Sequence, residues 1–178
     1  FVNVESSTSV SVDYAIVYRT AEDIIITSEQ APKIVATLKG PWAGLRSYAD
    51  MPEVIIDLRE AEPGNLRQLF NIQEFSVPTG MKIVDIVPTH VDITLDRLVE
   101  KAVPIEVDTL GRPAFGFEIA EISSDPPRVR IEGPLTKIRL IDFVYTRPVD
   151  LKDREKDINL EAQLRPPSPP VRLIERTK

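Results

Sequence analysis

Residues 36–41 read Ala36-Thr37-Leu38-Lys39-Gly40-Pro41, and residues 129–134 read Val129-Arg130-Ile131-Glu132-Gly133-Pro134. Each stretch alternates apolar and polar side chains and runs into Gly-Pro. These are the two Gly-Pro steps of the chain, and they stand 93 residues apart. Asp-Leu also occurs twice, at Asp57-Leu58 and Asp150-Leu151, again 93 residues apart. Two uncommon dipeptides sharing one ungapped offset predict a duplicated unit. The same register lays Arg19 on Arg112, Ala21 on Ala114, Ile26 on Ile119 and Arg46 on Arg139, and Val10, Val12 and Tyr14 on Val103, Ile105 and Val107.

Working outward from Gly-Pro, each unit reads the same way. An alternating strand opens it, through Val10, Val12, Tyr14 and Ile16 or through Val103, Ile105 and Val107. Period two buries one face and wets the other. A short apolar run follows (Ile24 to Ile26, or Phe115 to Ile119), then a proline turn at Pro32 or Pro126-Pro127, then the strand into Gly-Pro. Beyond it the period becomes three. Trp42, Leu45 and Tyr48, or Leu135, Ile138 and Ile141, predict one face of a short helix opened by proline. A strand ending in Asp-Leu comes next (Val54 to Ile56, or Val149), and further strands are expected around Phe70–Val77 and Ile158–Leu164. The first unit continues through Pro78-Thr79-Gly80 and Met81 to Val87 into a strand at Val91, Ile93 and Leu95. Two domains are expected, 1–98 and 99–178, joined by a short linker around Asp96–Lys101 that favours an extended rod. The second unit is expected to lack its last strand, with the parent protein continuing. The fold class is mostly β: small twisted sheets with one short helix per repeat.

Composition narrows the function. Of 178 residues, 42% are hydrophobic, enough for packed cores; 16 prolines against 7 glycines suit short strands and stiff turns. Net charge is −6 and uneven: residues 1–98 carry 8 Lys+Arg against 14 Asp+Glu, and residues 99–178 carry 14 of each. That balance argues against nucleic acid, which needs clustered cations. Cysteine is absent, which excludes disulfides and thiolate chemistry. No apolar run approaches a membrane helix. A start at Phe1 leads us to expect an anchor upstream.

Few residues could carry chemistry. His90 is the one histidine, beside a strand, and no nucleophile-elbow motif accompanies it. Asp57 and Asp150 are the carboxylates the repeat retains. A paired-carboxylate hydrolase would need them together, whereas the repeat gives each unit one. A turn or cap role is expected instead, a short carboxylate accepting backbone N–H groups at a strand end. Asp150, Asp153, Glu155 and Asp157 are interleaved with Lys152, Arg154 and Lys156, which reads as a solvated face rather than a calcium loop. No phosphate-cradling loop is present. Catalytic, cofactor and metal residues are therefore expected to be absent. Pro166-Pro167-Ser168-Pro169-Pro170 is read as a stiff turn, the alternative being a polyproline ligand. Arg128, Arg130, Lys137 and Arg139 form a candidate docking patch for an acidic partner or membrane surface. Glu132 lies among them, so a mixed surface is the alternative.

These repeated features resemble the YbbR-domain family. They run Pro32, Ala36-x-Leu38-x-Gly40-Pro41, Val54-Ile55-Ile56-Asp57-Leu58, Pro63-Gly64, Pro78-x-Gly80 and Pro88-x-x-Val91-x-Ile93. In the second unit they recur as Val129-x-Ile131-x-Gly133-Pro134 and Val149-Asp150-Leu151, while Lys156-Asp157 replaces Pro63-Gly64. Phe1 to Glu5 resembles the stretch after a single membrane helix. The resemblance implies tandem YbbR domains outside the membrane on a single-pass, membrane-anchored protein. It extends to the CdaR-like members, which regulate the membrane diadenylate cyclase CdaA, so cyclic di-AMP signalling is the implied function, with contact through a membrane helix absent from these residues. The extracytoplasmic ligand stays unnamed. The rival reading is a structural or carbohydrate-binding envelope rod; against carbohydrate binding stand an aromatic content of 6% and the place of Trp42 on the expected core stripe.

Overall fold

The computed structural model describes residues 7–41 and 52–174. Trp42, Leu45, Tyr48 and Arg46, and with them the expected first helix, lie outside the described residues. By contact the chain divides into two compact units, 1–96 and 97–178.

In the first unit, β1 (Ser7–Thr20) pairs antiparallel with β3 (Lys33–Pro41) and parallel with β4 (Glu53–Leu58), and β3 pairs antiparallel with β6 (Lys82–Val87). The sheet order is β4-β1-β3-β6. Alternation decides its buried face: Tyr14, Ile34, Ala36 and Leu38 are fully shielded, with Val54, Ile56, Ile83 and Ile86 beside them. Two shorter strands, β2 (Ile24–Ile26) and β5 (Gly64–Leu69), both pair with the start of β7 (His90–Glu106), which lies between them. Val91, Ile93 and Leu95 turn inward and join the same core. Phe70–Val77 departs from the expected strand. It holds a 3-10 turn at Ile72–Glu74, capped reciprocally by Asn71 and Glu74.

In the second unit, the later half of β7 pairs antiparallel with β9 (Arg128–Pro134) and parallel with β10 (Val144–Tyr145). Next, β9 pairs antiparallel with β12 (Arg172–Ile174). The order β10-β7-β9-β12 repeats that of the first sheet, sense for sense. A small parallel ladder joins β8 (Thr109–Leu110) to β11 (Val149–Asp150). Helix α1 (Leu135–Ile138) follows Pro134, as the period-three spacing predicts; Ile138 is buried, but Leu135 points outward. The core is Val103, Ile131, Ile138, Val144 and Val171.

Three expectations need correction. Asp96–Lys101 is not a linker but strand: β7 runs through it, and pairing with β9 begins at Leu98. Ile158–Leu164 is not a strand; a single bridge, Thr146 to Leu164, marks its end. The opening strand of the second unit is also displaced. Val10 faces Leu38, but Ile131 faces Lys101 rather than Val103. An even shift keeps the same side chains inward, so the core tolerates it.

The repeated dipeptides have local causes. A Cβ on Gly40 would lie 2.5 Å from Met81 Sδ and 2.8 Å from the Gly80 carbonyl; one on Gly133 would lie 2.9 Å from Val171 Cγ2. Each glycine thus admits the turn that leads the chain back: Met81 N–H donates to Pro78 O at 3.0 Å, and Val171 N–H to Ser168 O at 3.1 Å. The Ser168–Val171 turn is the stiff-turn reading of the proline run. At both Asp-Leu steps the carboxylate accepts the backbone N–H two residues on, Arg59 to Asp57 at 3.1 Å and Lys152 to Asp150 at 2.9 Å. The tightening bonds that follow also share the offset, Ala61 to Leu58 at 3.1 Å and Arg154 to Leu151 at 3.2 Å.

Candidate functional site

An open concavity on the second unit grows from α1. Its last turn closes by Arg139 N–H to Leu135 O (3.1 Å) and Leu140 N–H to Lys137 O (3.1 Å). Burying Ile138 leaves Lys137 and Leu140 facing water, and Leu140 is 72% exposed. Alternation then buries Val144 of β10 and turns Phe143, just before the strand, and Tyr145 outward on one side. Their rings meet edge-to-face at 5.0 Å. Opposite them, Arg165 N–H donates to Tyr145 O at 2.8 Å, and its guanidinium lies 5.8 Å from the Tyr145 ring centroid. Asp108 holds that guanidinium at 2.9 Å. The Pro166–Pro169 run walls the far side. No carboxylate or imidazole lines this groove. Chemically it can hold an apolar or aromatic group beside two cations, Lys137 and Arg165.

The candidate basic patch is divided by its own partners. Arg128 and Arg130 share the wet side of β9, where Arg128 donates to Ala102 O at 3.0 Å and Arg130 pairs with Glu100 at 3.0 Å. Glu132, next on that face, pairs with Arg172. Lys137 and Arg139 lie apart on the α1 turn, both exposed, and Lys137 lines the groove. Lys101 reaches the same turn from β7, donating to Ile141 O at 2.7 Å.

Gly40, Pro41, Gly133 and Pro134 end β3 and β9 and serve backbone geometry, as Leu58 and Leu151 serve the turns after Asp57 and Asp150. Asp57 is clasped by Arg59, whose Nε lies 2.9 Å from Oδ1. That guanidinium, with the Arg59 N–H, pulls the carboxyl down to about 2. A carboxylate so held stays ionised and is unsuited to acid–base work near neutral pH. Asp92 is likewise lowered by the Arg67 guanidinium, 2.7 Å away. His90 opens β7 at the surface, its Nε2 4.0 Å from Asp92. Among the described residues no three His, Cys, Asp or Glu side chains gather as a metal site. The sequence reading missed the groove. The available signal was Phe143 and Tyr145 flanking a single buried-type valine at period two.

Residues 103–177, less than half of the chain, match the family model for YbbR-like protein. The fold is similar to the crystal structure of a YbbR-like protein from Streptococcus pneumoniae TIGR4: TM-score 0.50 and 17% identity, covering 84% of this chain and 77% of that one. At that identity the likeness speaks to the fold. No curated protein matches the chain. The YbbR resemblance read from the repeated motifs is borne out; the narrower CdaR-like assignment belongs to the proposal that follows.

Proposed function

We propose that the chain is a non-catalytic interaction module built from two copies of a YbbR-like unit. In this reading it lies outside the cytoplasmic membrane, on a membrane-anchored protein that modulates a membrane diadenylate cyclase. The observation that carries the interaction role is the groove of Leu140, Phe143 and Tyr145 beside Arg165 and Lys137: exposed apolar surface, two cations, and no carboxylate or imidazole in its lining. Duplication is supported by the shared sheet order, the two glycine-admitted turns and the hydrogen bonds repeated at one offset. The cyclase link rests on family resemblance alone, which is a weaker warrant than a site. No helix among the described residues is long and apolar enough to cross a membrane, so contact with the cyclase would run through a segment outside them.

The mechanism in this reading is a population shift. An occupant of the groove that binds two states of the assembly unequally biases the cyclase by that difference, typically about 5–150-fold at most. The test is co-expression of the complete gene product with the same cell's membrane diadenylate cyclase. Cyclic di-AMP should change, and the change should be lost with Leu140→Ser/Tyr145→Ala. Unchanged cyclic di-AMP together with no co-purification would sink the cyclase link.

A further inference from the structure

The groove on the second unit joins exposed apolar side chains, Leu140, Phe143 and Tyr145, to two cations of unlike standing. Among the described residues the Lys137 ammonium has no ion pair, and neither has the guanidinium of Arg139 on the same turn. Arg165 is held in place. Asp108 takes its Nη2 at 2.9 Å, and the Tyr145 ring lies 5.8 Å away. Asp108 offsets part of that charge but leaves Nε and Nη1 as donors, a fixed planar fork suited to a second carboxylate. Asp142, the acidic neighbour of Phe143, is outside the lining, and its Oδ1 lies 4.0 Å from Lys101 Nζ. The concavity is also separate from the layer that β2, β7 and β5 form in the first unit. The corresponding segments here, 117–124 and 157–163, contribute nothing to its lining. Strand β12 leads away from α1, since Arg172 faces Glu132 and Ile174 faces Arg130.

We infer, taking the groove as the interaction site of the proposed function, that its occupant is an acidic segment of a partner protein, with an aromatic side chain flanked by aspartate or glutamate. Charge complementarity sets the sign: both charged groups of the lining are cations. The aromatic side chain adds to the edge-to-face pair of Phe143 and Tyr145, whose rings already meet at 5.0 Å. Carboxylates beside it reach Lys137 and the remaining donors of Arg165. Side chains hold this occupant, not an added ladder. Pro166, Pro167 and Pro169 form the far wall, and three prolines in four residues cannot template a strand. An anionic bilayer fits less well, because it takes up apolar side chains that protrude from a surface. Here they line a concavity of about 440 Å³, within the range of about 300–1,000 Å³ for clefts that enclose a ligand.

The probe is a short synthetic peptide, one phenylalanine with Asp-Glu on each side, labelled with fluorescein and titrated into the 178-residue chain. Fluorescence anisotropy should show saturable binding that weakens as salt rises. Lys137→Glu and Leu140→Ser change exposed side chains, should leave the circular dichroism unchanged, and should each weaken binding about tenfold or more. Lys137→Arg should retain it. Arg128→Gln, on the wet side of β9, should leave it unaltered. Peptides with lysine for the acidic residues, or alanine for phenylalanine, should also bind about tenfold more weakly. Several results would overturn the assignment: no binding, equal loss from Arg128→Gln, full affinity without the phenylalanine, or binding confined to phosphatidylserine vesicles. No peptide binding, with a cyclic di-AMP response still abolished by Leu140→Ser/Tyr145→Ala, would strike the acidic occupant and leave the groove's role standing.

Discussion

The first and second units set four strands in the same order and sense, but they do not close alike. In the first, a three-stranded layer of β2, β7 and β5 covers the open side, and Phe70, Phe75, Val91, Ile93 and Leu95 join one core with Tyr14 and Ile34. In the second, the same four-strand pattern buries five residues, and the segments that correspond to β2 and β5 stay unpaired. The contrast separates what a strand pattern specifies from what it needs in order to be stable. Alternation and turns set the sheet; the covering layer closes the core over it.

The largest expected effect follows from that difference in core size. Ile34→Ala and Ile131→Ala each delete a fully shielded side chain and should each cost about 2–5 kcal/mol. The outcomes should diverge. Two-step denaturant unfolding is expected, with Ile131→Ala moving the lower midpoint and unfolding the second unit outright. A single transition moved equally by both variants would contradict the comparison.

Next come the glycines, where about 1–3 kcal/mol is expected for Gly40→Ala or Gly133→Ala from overpacking. The repair should be asymmetric. Val171→Ala removes the Cγ2 that a Cβ at Gly133 would strike, so it should partly restore Gly133→Ala. Met81→Ala leaves the Gly80 carbonyl 2.8 Å from a Cβ at Gly40, so it should not restore Gly40→Ala. Thermal midpoints of the four single and two double variants decide this.

Smaller still is the Tyr14 hydroxyl, which donates to Ser76 O at 2.7 Å in the first unit. Tyr14→Phe should cost about 1 kcal/mol, measured by the upper midpoint. The smallest effect concerns Asp57. Its carboxyl is held at about 2, below its ordinary 3.8, so the pairing stabilises the fold fully above the ordinary value and is lost as pH falls through about 2. Asp57→Asn should flatten the stability slope between those values. The site is exposed, so the change should shrink in high salt.

Much of this was legible because its causes are local. Gly40 and Gly133 end alternating strands, and Asp57 and Asp150 cap turns from two residues away; both patterns are written in neighbouring residues. The capping of Ile72–Glu74 by Asn71 is also written there, as Asn-x-x-Glu, but Phe70, Phe75 and Val77 dominate the pattern and favour strand. What was not legible depends on distant partners. Asp96 looks like a linker residue, yet it is buried within β7. Ile158 and Leu160 alternate as a strand should, and form none, because pairing needs a neighbour and not only propensity. The groove escaped for the same reason: which side of β10 faces water is set by where Val144 finds the core.

The most direct measurement is native-state amide hydrogen exchange on the chain alone. The account predicts slow exchange for amides that pair with β7 in β2 and β5, and near-intrinsic exchange at 118–119 and 157–161. Equal protection in both pairs of segments would contradict it, since the second unit would then be closed like the first.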